Sequence, residues 1–270
     1  GAAKLLKENE KNLNGTVKFM FQPAEELLAG AEDMIEAGIL ESPKVDAAIG
    51  MHIAVGTEQS KSGLIYYTKG TALFSGDAIS IEVKGKTAHG STPEKGVDAI
   101  NISAHIVISL QEIISQEISC QDQSVVIVGK IQGGDTVNTL PGNAVIEVSV
   151  RAATEENRAY LKRRVKEISE NVANTFRGEA VVEFLYGIGP LYNDPVLSEE
   201  ISKYCKEILG NENVSEVPPS AGTEDFTAVS KAVPSIMLNL GAGSTGEGYS
   251  CSLHNPPQKQ KHIISHNMLL

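Results

Sequence analysis

The first part of the chain alternates between helical and extended patterns. Residues 2–13 place apolar side chains among lysines and glutamates at a helical spacing, which predicts the end of an amphipathic helix. Thr16–Phe21 is β-branched and aromatic and predicts a short buried strand, whereas Leu27–Ala37 predicts a helix that ends at Gly38. Ala47–His52 predicts a second short strand. Such an alternation is typical of an α/β layer with a largely parallel sheet.

The pattern changes near residue 74. Asp77–Lys84 alternates apolar and polar side chains with a period of two, which predicts a half-exposed strand. The order β-α-β-β-α-β that follows predicts a ferredoxin-like α+β domain, with two helices on one face of its sheet and the other face open to water or a partner. The further elements of this domain are predicted helices over 96–116 and 154–175 and predicted strands over 124–131, 143–150 and 179–186.

The α/β pattern resumes at about residue 187, with a predicted helix over 195–209 and a predicted strand over Ser235–Leu240. We therefore expect one domain interrupted by another. Residues 1–74 and 187–270 would form an α/β domain with a mixed, largely parallel sheet and helices on both faces. Residues 75–186 would form the inserted ferredoxin-like domain.

Composition and charge narrow the class of function. The net charge is −11, and the one dense basic cluster, Lys162–Lys166, lies on a predicted helix, so we expect no nucleic-acid partner. No apolar run approaches the roughly 18 residues of a membrane span, and the first residues do not resemble a secretory signal. We therefore expect no membrane partner. Three cysteines spaced far apart do not indicate a disulfide framework and favour a reducing cytoplasm.

Acids and histidines stand where the predicted α/β strands end. Glu25 and Glu26 follow the first strand, His52 ends the second, and His254 lies in a glycine-rich region. Ligands of open α/β sheets collect at the carboxyl ends of the strands. Carboxylate and imidazole ligands suit zinc, manganese or cobalt, and of two adjacent carboxylates one can hold a metal while the other takes a proton from water. Taken singly, each residue is better explained as a solvated acid or a structural histidine.

His89 belongs to a different setting, a glycine-rich turn after the first strand of the inserted domain. A histidine on a mobile loop of a separate domain is suited to reach over a substrate and stabilise a developing oxyanion. An exposed loop histidine without a function is an equally good alternative.

Six ordered motifs resemble the M20 metallopeptidase family. The resemblance points to the N-acyl-amino-acid amidohydrolases, the group of hippurate hydrolase, auxin-conjugate hydrolase and N-acetyldiaminopimelate deacetylase. The motifs are Phe21–Glu26, Gly50–His52, Gly85–His89, Asn138–Ala144, Gly222–Phe226 and Leu253–Pro256.

This resemblance implies an enzyme that hydrolyses amide bonds in N-acyl amino acids or short peptides with metal-activated water. It implies two divalent metal ions (zinc, manganese or cobalt), a catalytic α/β domain, and an inserted lid domain that forms a homodimer. The residue roles that it implies are a general base at Glu25, metal ligands at Glu26, His52 and His254, a lid histidine at His89 that serves the active site of the partner subunit, and a substrate-site residue at Asn138.

The N-terminal end of the sequence departs from the family. The Cys-Gly-His-Asp-x-His motif that carries the remaining ligands has no counterpart, so we expect an N-terminally incomplete chain. Each missing ligand weakens a metal site, so we expect partial or no metal occupancy in this chain alone. Two alternatives stay open. One is a catalytically inactive homologue that retains dimerisation or ligand binding. The other is a regulatory module on a Rossmann-type domain, in which Gly241–Gly246 has the glycine spacing but no helix after it.

Overall fold

The computed structural model describes residues 1–249, apart from the side chain of Glu26. Short 3-10 turns occur at Glu10–Asn12, Glu25–Leu27, Pro93–Lys95, Asn211–Asn213 and Thr245–Glu247. The strands are β1 (Ala48–Ala54), β2 (Ile65–Tyr67), β3 (Gly70–Leu73), β4 (Gly76–Lys84), β5 (Ala88–His89), β6 (Ser124–Gly133), β7 (Thr139–Leu140), β8 (Asn143–Ala152), β9 (Glu179–Ile188), β10 (Leu191–Asn193), β11 (Val214–Glu216) and β12 (Ser235–Gly241). The helices are α1 (Ala2–Glu8), α2 (Gly30–Glu36), α3 (Ala99–Glu112, extended by a π-helical turn over Ile113–Glu117), α4 (Glu155–Thr175), α5 (Pro195–Leu209) and α6 (Thr227–Ala232).

The chain divides into two compact units. The first contains Gly1–Ala72, Tyr192–Pro218 and the described residues from Asp225 onward, and the second contains Leu73–Leu191 and Pro219–Glu224. Residues 219–224 lie outside the inserted segment 75–186 that the sequence predicts. The structure places them in the second unit because the backbone N–H of Phe74 donates to the carbonyl of Ser220 at 3.1 Å.

The first unit contains a four-stranded sheet in the order β1-β12-β2-β11. β1 is parallel to β12 and β11 is parallel to β2, whereas β12 and β2 are antiparallel. The predicted α/β class with a mixed, largely parallel sheet is therefore confirmed. The sequence identified β1 and β12 but missed β2 and β11, because three residues are too few to show an alternating pattern. The core of this sheet consists of Ile65, Tyr67, Val214, Ile236 and Leu238, with Leu197 and Ile201 of α5 packed against it.

The predicted strand at Thr16–Phe21 is wrong. The structure shows no strand there, and Val17, Phe19 and Phe21 are 49%, 40% and 82% exposed. β-branched and aromatic residues favour an extended backbone, but a strand also needs a neighbour whose N–H and C=O groups it can bond. Within the described residues this segment has no such neighbour. Instead, the ammonium of Lys18 donates to the carbonyls of Ile39 at 2.8 Å and Pro43 at 3.0 Å.

The second unit has the order β4-α3-β6-β8-α4-β9, and its sheet runs β6-β8-β4-β9 with antiparallel pairings. This is the ferredoxin-like arrangement. Side chains on one face of the sheet, such as Ile81 and Ile146, are fully buried in a core shared with Ile106 of α3 and Leu161 of α4. Alternate positions of β4 and β8 are only partly buried, as expected for an open second face. Among the described helices, none combines the length and the hydropathy needed to cross a lipid bilayer.

Candidate active site

Glu25 begins a tight turn between the preceding segment, which has no regular secondary structure, and α2. The 3-10 turn Glu25–Leu27 is flanked by Ala24 at φ 55° and Leu28 at φ 54°, both left-handed. Each such residue other than glycine costs roughly 1–2 kcal/mol, and strain of this kind clusters at functional sites. Tight packing holds the turn, since a Cβ at Gly30 would overlap the carbonyl oxygen of Pro23. The carboxylate of Glu25 is thus presented by a strained and closely packed backbone.

Asp225 lies just before α6 and is 1% exposed. Its Oδ2 accepts a hydrogen bond from the backbone N–H of Ala31 at 2.9 Å, and its Oδ1 accepts one from the side-chain amide of Gln22. The N–H of Ala31 belongs to the first turn of α2, where backbone donors have no partner within the helix. Asp225 therefore links the segment before α6 to the residues on both sides of the turn that carries Glu25.

Glu25 and Asp225 each offer a carboxylate oxygen, and these two oxygens lie within 4.8 Å of one another. Two carboxylates so close together repel each other unless a cation or a proton lies between them. Their spacing fits a divalent ion, because carboxylate oxygens bind zinc at about 2.0–2.2 Å. Glu224 precedes Asp225 in the chain and is 7% exposed. The carboxylate oxygens of Glu25 and Asp225 thus suit a hard or borderline divalent metal.

The other predicted ligands differ in how much the structure says of them. His52 lies in β1 and is exposed, and its Nδ1 is 2.8 Å from the carbonyl oxygen of Ile53. A carbonyl can only accept, so Nδ1 carries the proton and the lone pair of Nε2 is left to bind a metal. Within the described part of the chain, His52 is not among the ligand atoms that surround Glu25. The side chain of Glu26 and all of His254 lie outside the described residues, so the convergence of the four stays a prediction.

The loop after β12 is closed by the carboxylate of Glu247. It accepts hydrogen bonds from the backbone N–H of Ser244 at 2.8 Å, from the hydroxyl of Ser244 at 2.9 Å and from the backbone N–H of Ser62 at 3.0 Å. These donors, first the backbone N–H of Ser244 and then that of Ser62, hold the pKa of Glu247 below its usual value. The carboxylate thereby ties the glycine-rich loop to the segment before β2.

We expect Glu247→Gln to remove an acid-sensitive part of the stability. The folded pKa lies below the ordinary value of 4.5, so the carboxylate's contribution is fully present above that value and is lost as the pH falls through the folded pKa. The unfolding free energies of wild type and variant should therefore differ at pH 7 and converge in acid, as measured by urea titration. Glu58→Gln, at an exposed position, is the control. A difference that stays constant down to acid pH would contradict this account.

His89 and Asn138 come together in the second unit. β5 and β7 pair so that His89 is opposite Thr139, and the N–H of Gly90 donates to the carbonyl of Asn138 at 2.7 Å. Gly90 permits this approach, because a Cβ there would lie 3.0 Å from the same carbonyl oxygen. Both His89 and Asn138 are exposed. The two residues thus form one surface feature of this unit.

Asp225 was missed as a site residue. Gly222–Phe226 is one of the six motifs that resemble the M20 family, but the resemblance gives none of its residues a role. The available signal was an acidic pair, Glu224-Asp225, directly before a short helix. Acids in such a position are usually solvated, and only the structure shows that Asp225 is buried against α2.

Comparisons with known proteins match this chain to one peptidase family and to two named hydrolytic enzymes. A model described as Peptidase family M20/M25/M40 matches residues 1–263. IAA-amino acid hydrolase ILR1-like 4 of Arabidopsis thaliana is 33% identical over 260 residues, covering 95% of this chain and 58% of the relative. N-acetyl-L-cysteine deacetylase of Bacillus subtilis (strain 168) is 35% identical over 247 residues, covering 89% and 56%.

A solved structure from the same family is also similar to this chain. The crystal structure of a dinuclear metal-binding peptidase from the M20 family of Bacillus subtilis matches with a TM-score of 0.72 at 27% identity, covering 89% of this chain and 59% of that one. The present chain thus spans less than two thirds of the length of each of these proteins.

Proposed function

Because this chain belongs to peptidase family M20/M25/M40, we propose that it acts in a metal-dependent hydrolase of amide bonds in N-acyl amino acids or related small amides and peptides. The observation that carries the proposal is the approach of the Glu25 and Asp225 carboxylate oxygens to within 4.8 Å. The hydrolase and deacetylase names of the relatives support hydrolysis over the alternative of an inactive homologue.

In this proposal, some residues of the first unit bind the metal ions and another transfers a proton. Two divalent ions, when bound, would polarise the amide carbonyl and make a water molecule more acidic. Asp225 and the predicted ligands Glu26, His52 and His254 would hold them. Glu25 accepts a proton from the attacking water and passes it to the leaving nitrogen. The C–N bond breaks, the water oxygen becomes part of a carboxylate, and the amine leaves protonated.

The second unit would serve as a lid and a dimerisation surface. His89 would donate a hydrogen bond to the developing oxyanion and Asn138 would contact the substrate, which their adjacent exposed positions support. A homodimer is supported by β6, one of the two outer strands of the sheet in the second unit, whose Ile127 and Ile131 are 54% and 51% exposed. Such a strand offers unpaired backbone groups to a second copy. The cytoplasmic location indicated by the cysteines stays a prediction.

The experiment that tests the proposal measures metal binding and hydrolysis together. Because a site with missing ligands binds metal weakly, zinc, manganese or cobalt is supplied in large excess. Under that condition the purified chain should release the amine from N-acetyl amino acids, and a chelator should stop the release. Asp225→Asn should weaken metal binding about 10- to 100-fold, whether Asp225 binds the ion directly or orients a ligand. Asp33→Asn, at an exposed position of α2, is the matched control. Metal-loaded chain that releases no amine from any such substrate would refute the proposed activity.

A further inference from the structure

The imidazole of His89 is held by the second residue after it. The Nδ1 atom is 2.8 Å from the hydroxyl oxygen of Ser91 and 3.2 Å from the backbone nitrogen of Ser91. The backbone N–H can only donate, and a serine hydroxyl can donate to the same ring nitrogen. Both groups therefore favour an unprotonated Nδ1 that accepts hydrogen bonds.

We propose that Ser91 is a positioning residue that fixes His89 in the tautomer with its proton on Nε2. A neutral imidazole carries one proton, so a ring whose Nδ1 accepts must present N–H at Nε2. The neighbouring strand pair β5–β7 holds the backbone of His89 while Ser91 fixes its ring. The N–H group at Nε2 is then available as a hydrogen-bond donor.

This inference rests on the proposed function, because a donor at Nε2 is what stabilisation of an oxyanion requires. A ring with its proton on Nδ1 would present a lone pair to the developing negative charge and would repel it. His52 shows the opposite arrangement, since its Nδ1 faces a carbonyl, and its Nε2 is left as a ligand atom. The hydrogen-bond partners of Nδ1 thus favour a donor at Nε2 in His89 and a lone pair at Nε2 in His52.

The test is an NMR measurement that identifies the tautomer of His89 directly. Imidazole nitrogen NMR of the full chain at about pH 8, where an imidazole is neutral, should show His89 with its proton on Nε2, and His89→Gln assigns the signal. Ser91→Ala removes one donor to Nδ1. The ratio of the tautomer protonated on Nε2 to the tautomer protonated on Nδ1 should then fall about 2- to 10-fold, the effect of one net hydrogen bond. Ser91→Thr should restore the ratio. Thr92→Ala removes a hydroxyl from the same turn, one that reaches the carbonyl of His89 rather than its ring, and should leave the ratio unchanged.

A wild-type signal with the proton on Nδ1, or an unchanged ratio in Ser91→Ala, would overturn the inference. In metal-loaded chain, Ser91→Ala should also lower kcat for an N-acetyl amino acid by a similar factor with KM unchanged. The NMR reading needs neither metal nor turnover. Absence of hydrolysis in wild type would therefore refute the proposed function, while the tautomer would still decide the role of Ser91.

Discussion

Replacing Glu25 by glutamine is expected to lower kcat for hydrolysis of an N-acetyl amino acid about 10²- to 10⁴-fold, the usual contribution of a general base. Glutamine has nearly the same shape as glutamate, so the strained turn between Ala24 and Leu28 should be kept. It cannot take a proton from water at neutral pH. Steady-state release of the amine by metal-loaded protein measures the effect, and KM should change little because substrate binding does not require the base.

Two measurements make this result specific. Glu32→Gln changes an exposed carboxylate in the first turn of α2 and should leave kcat within about twofold of wild type. Metal content separates the possible roles of Glu25, since a base can be replaced without loss of the ion, whereas loss of metal would make Glu25 a ligand. A Glu25→Gln protein that hydrolyses substrate at the rate of wild type would exclude both roles.

Replacing Asp77 by asparagine is expected to destabilise the second unit by about 3–5 kcal/mol, the cost of leaving a buried charge without its partner. The Asp77 side chain, at the start of β4, is 1% exposed. It accepts two hydrogen bonds from Arg158, at 2.7 and 2.8 Å, and its Oδ1 is 3.1 Å from the ammonium of Lys162. Arg158 and Lys162 lie four residues apart on α4, so one face of the helix brings both charges to the sheet.

Amide hydrogen exchange in peptides from β4, β8 and α4 measures the free energy of unfolding of this unit separately from that of the first. Glu155→Gln is the matched control, because Glu155 pairs with the same arginine but its side chain is 58% exposed, and its loss should cost less than about 1 kcal/mol. Adding Arg158→Met to Asp77→Asn should recover part of the loss by removing the unpaired charge. Equal costs for Asp77→Asn and Glu155→Gln would show that burial adds nothing to this pair.

The second unit was predictable from its sequence because its elements are long and each has a clear period. β8 buries every second residue, and α4 buries Leu161, Val165, Ser169 and Ala173 at intervals of four, so the pattern appears directly in the chain. In the first unit, β2 and β11 are three residues long, and Thr16–Phe21 has the composition of a strand without a partner strand among the described residues. Strand composition states a preference, whereas pairing depends on which backbone lies alongside.

The sequence by itself determined the fold class, the family and the candidate chemistry, because hydrophobic periodicity and ordered motifs are local properties of the chain. Tertiary structure alone decided that Asp225, about two hundred positions after Glu25, lies beside it. It also decided that Asp77 is buried with two cations. Burial and the distance between remote side chains arise from packing, so no local pattern of residues encodes them.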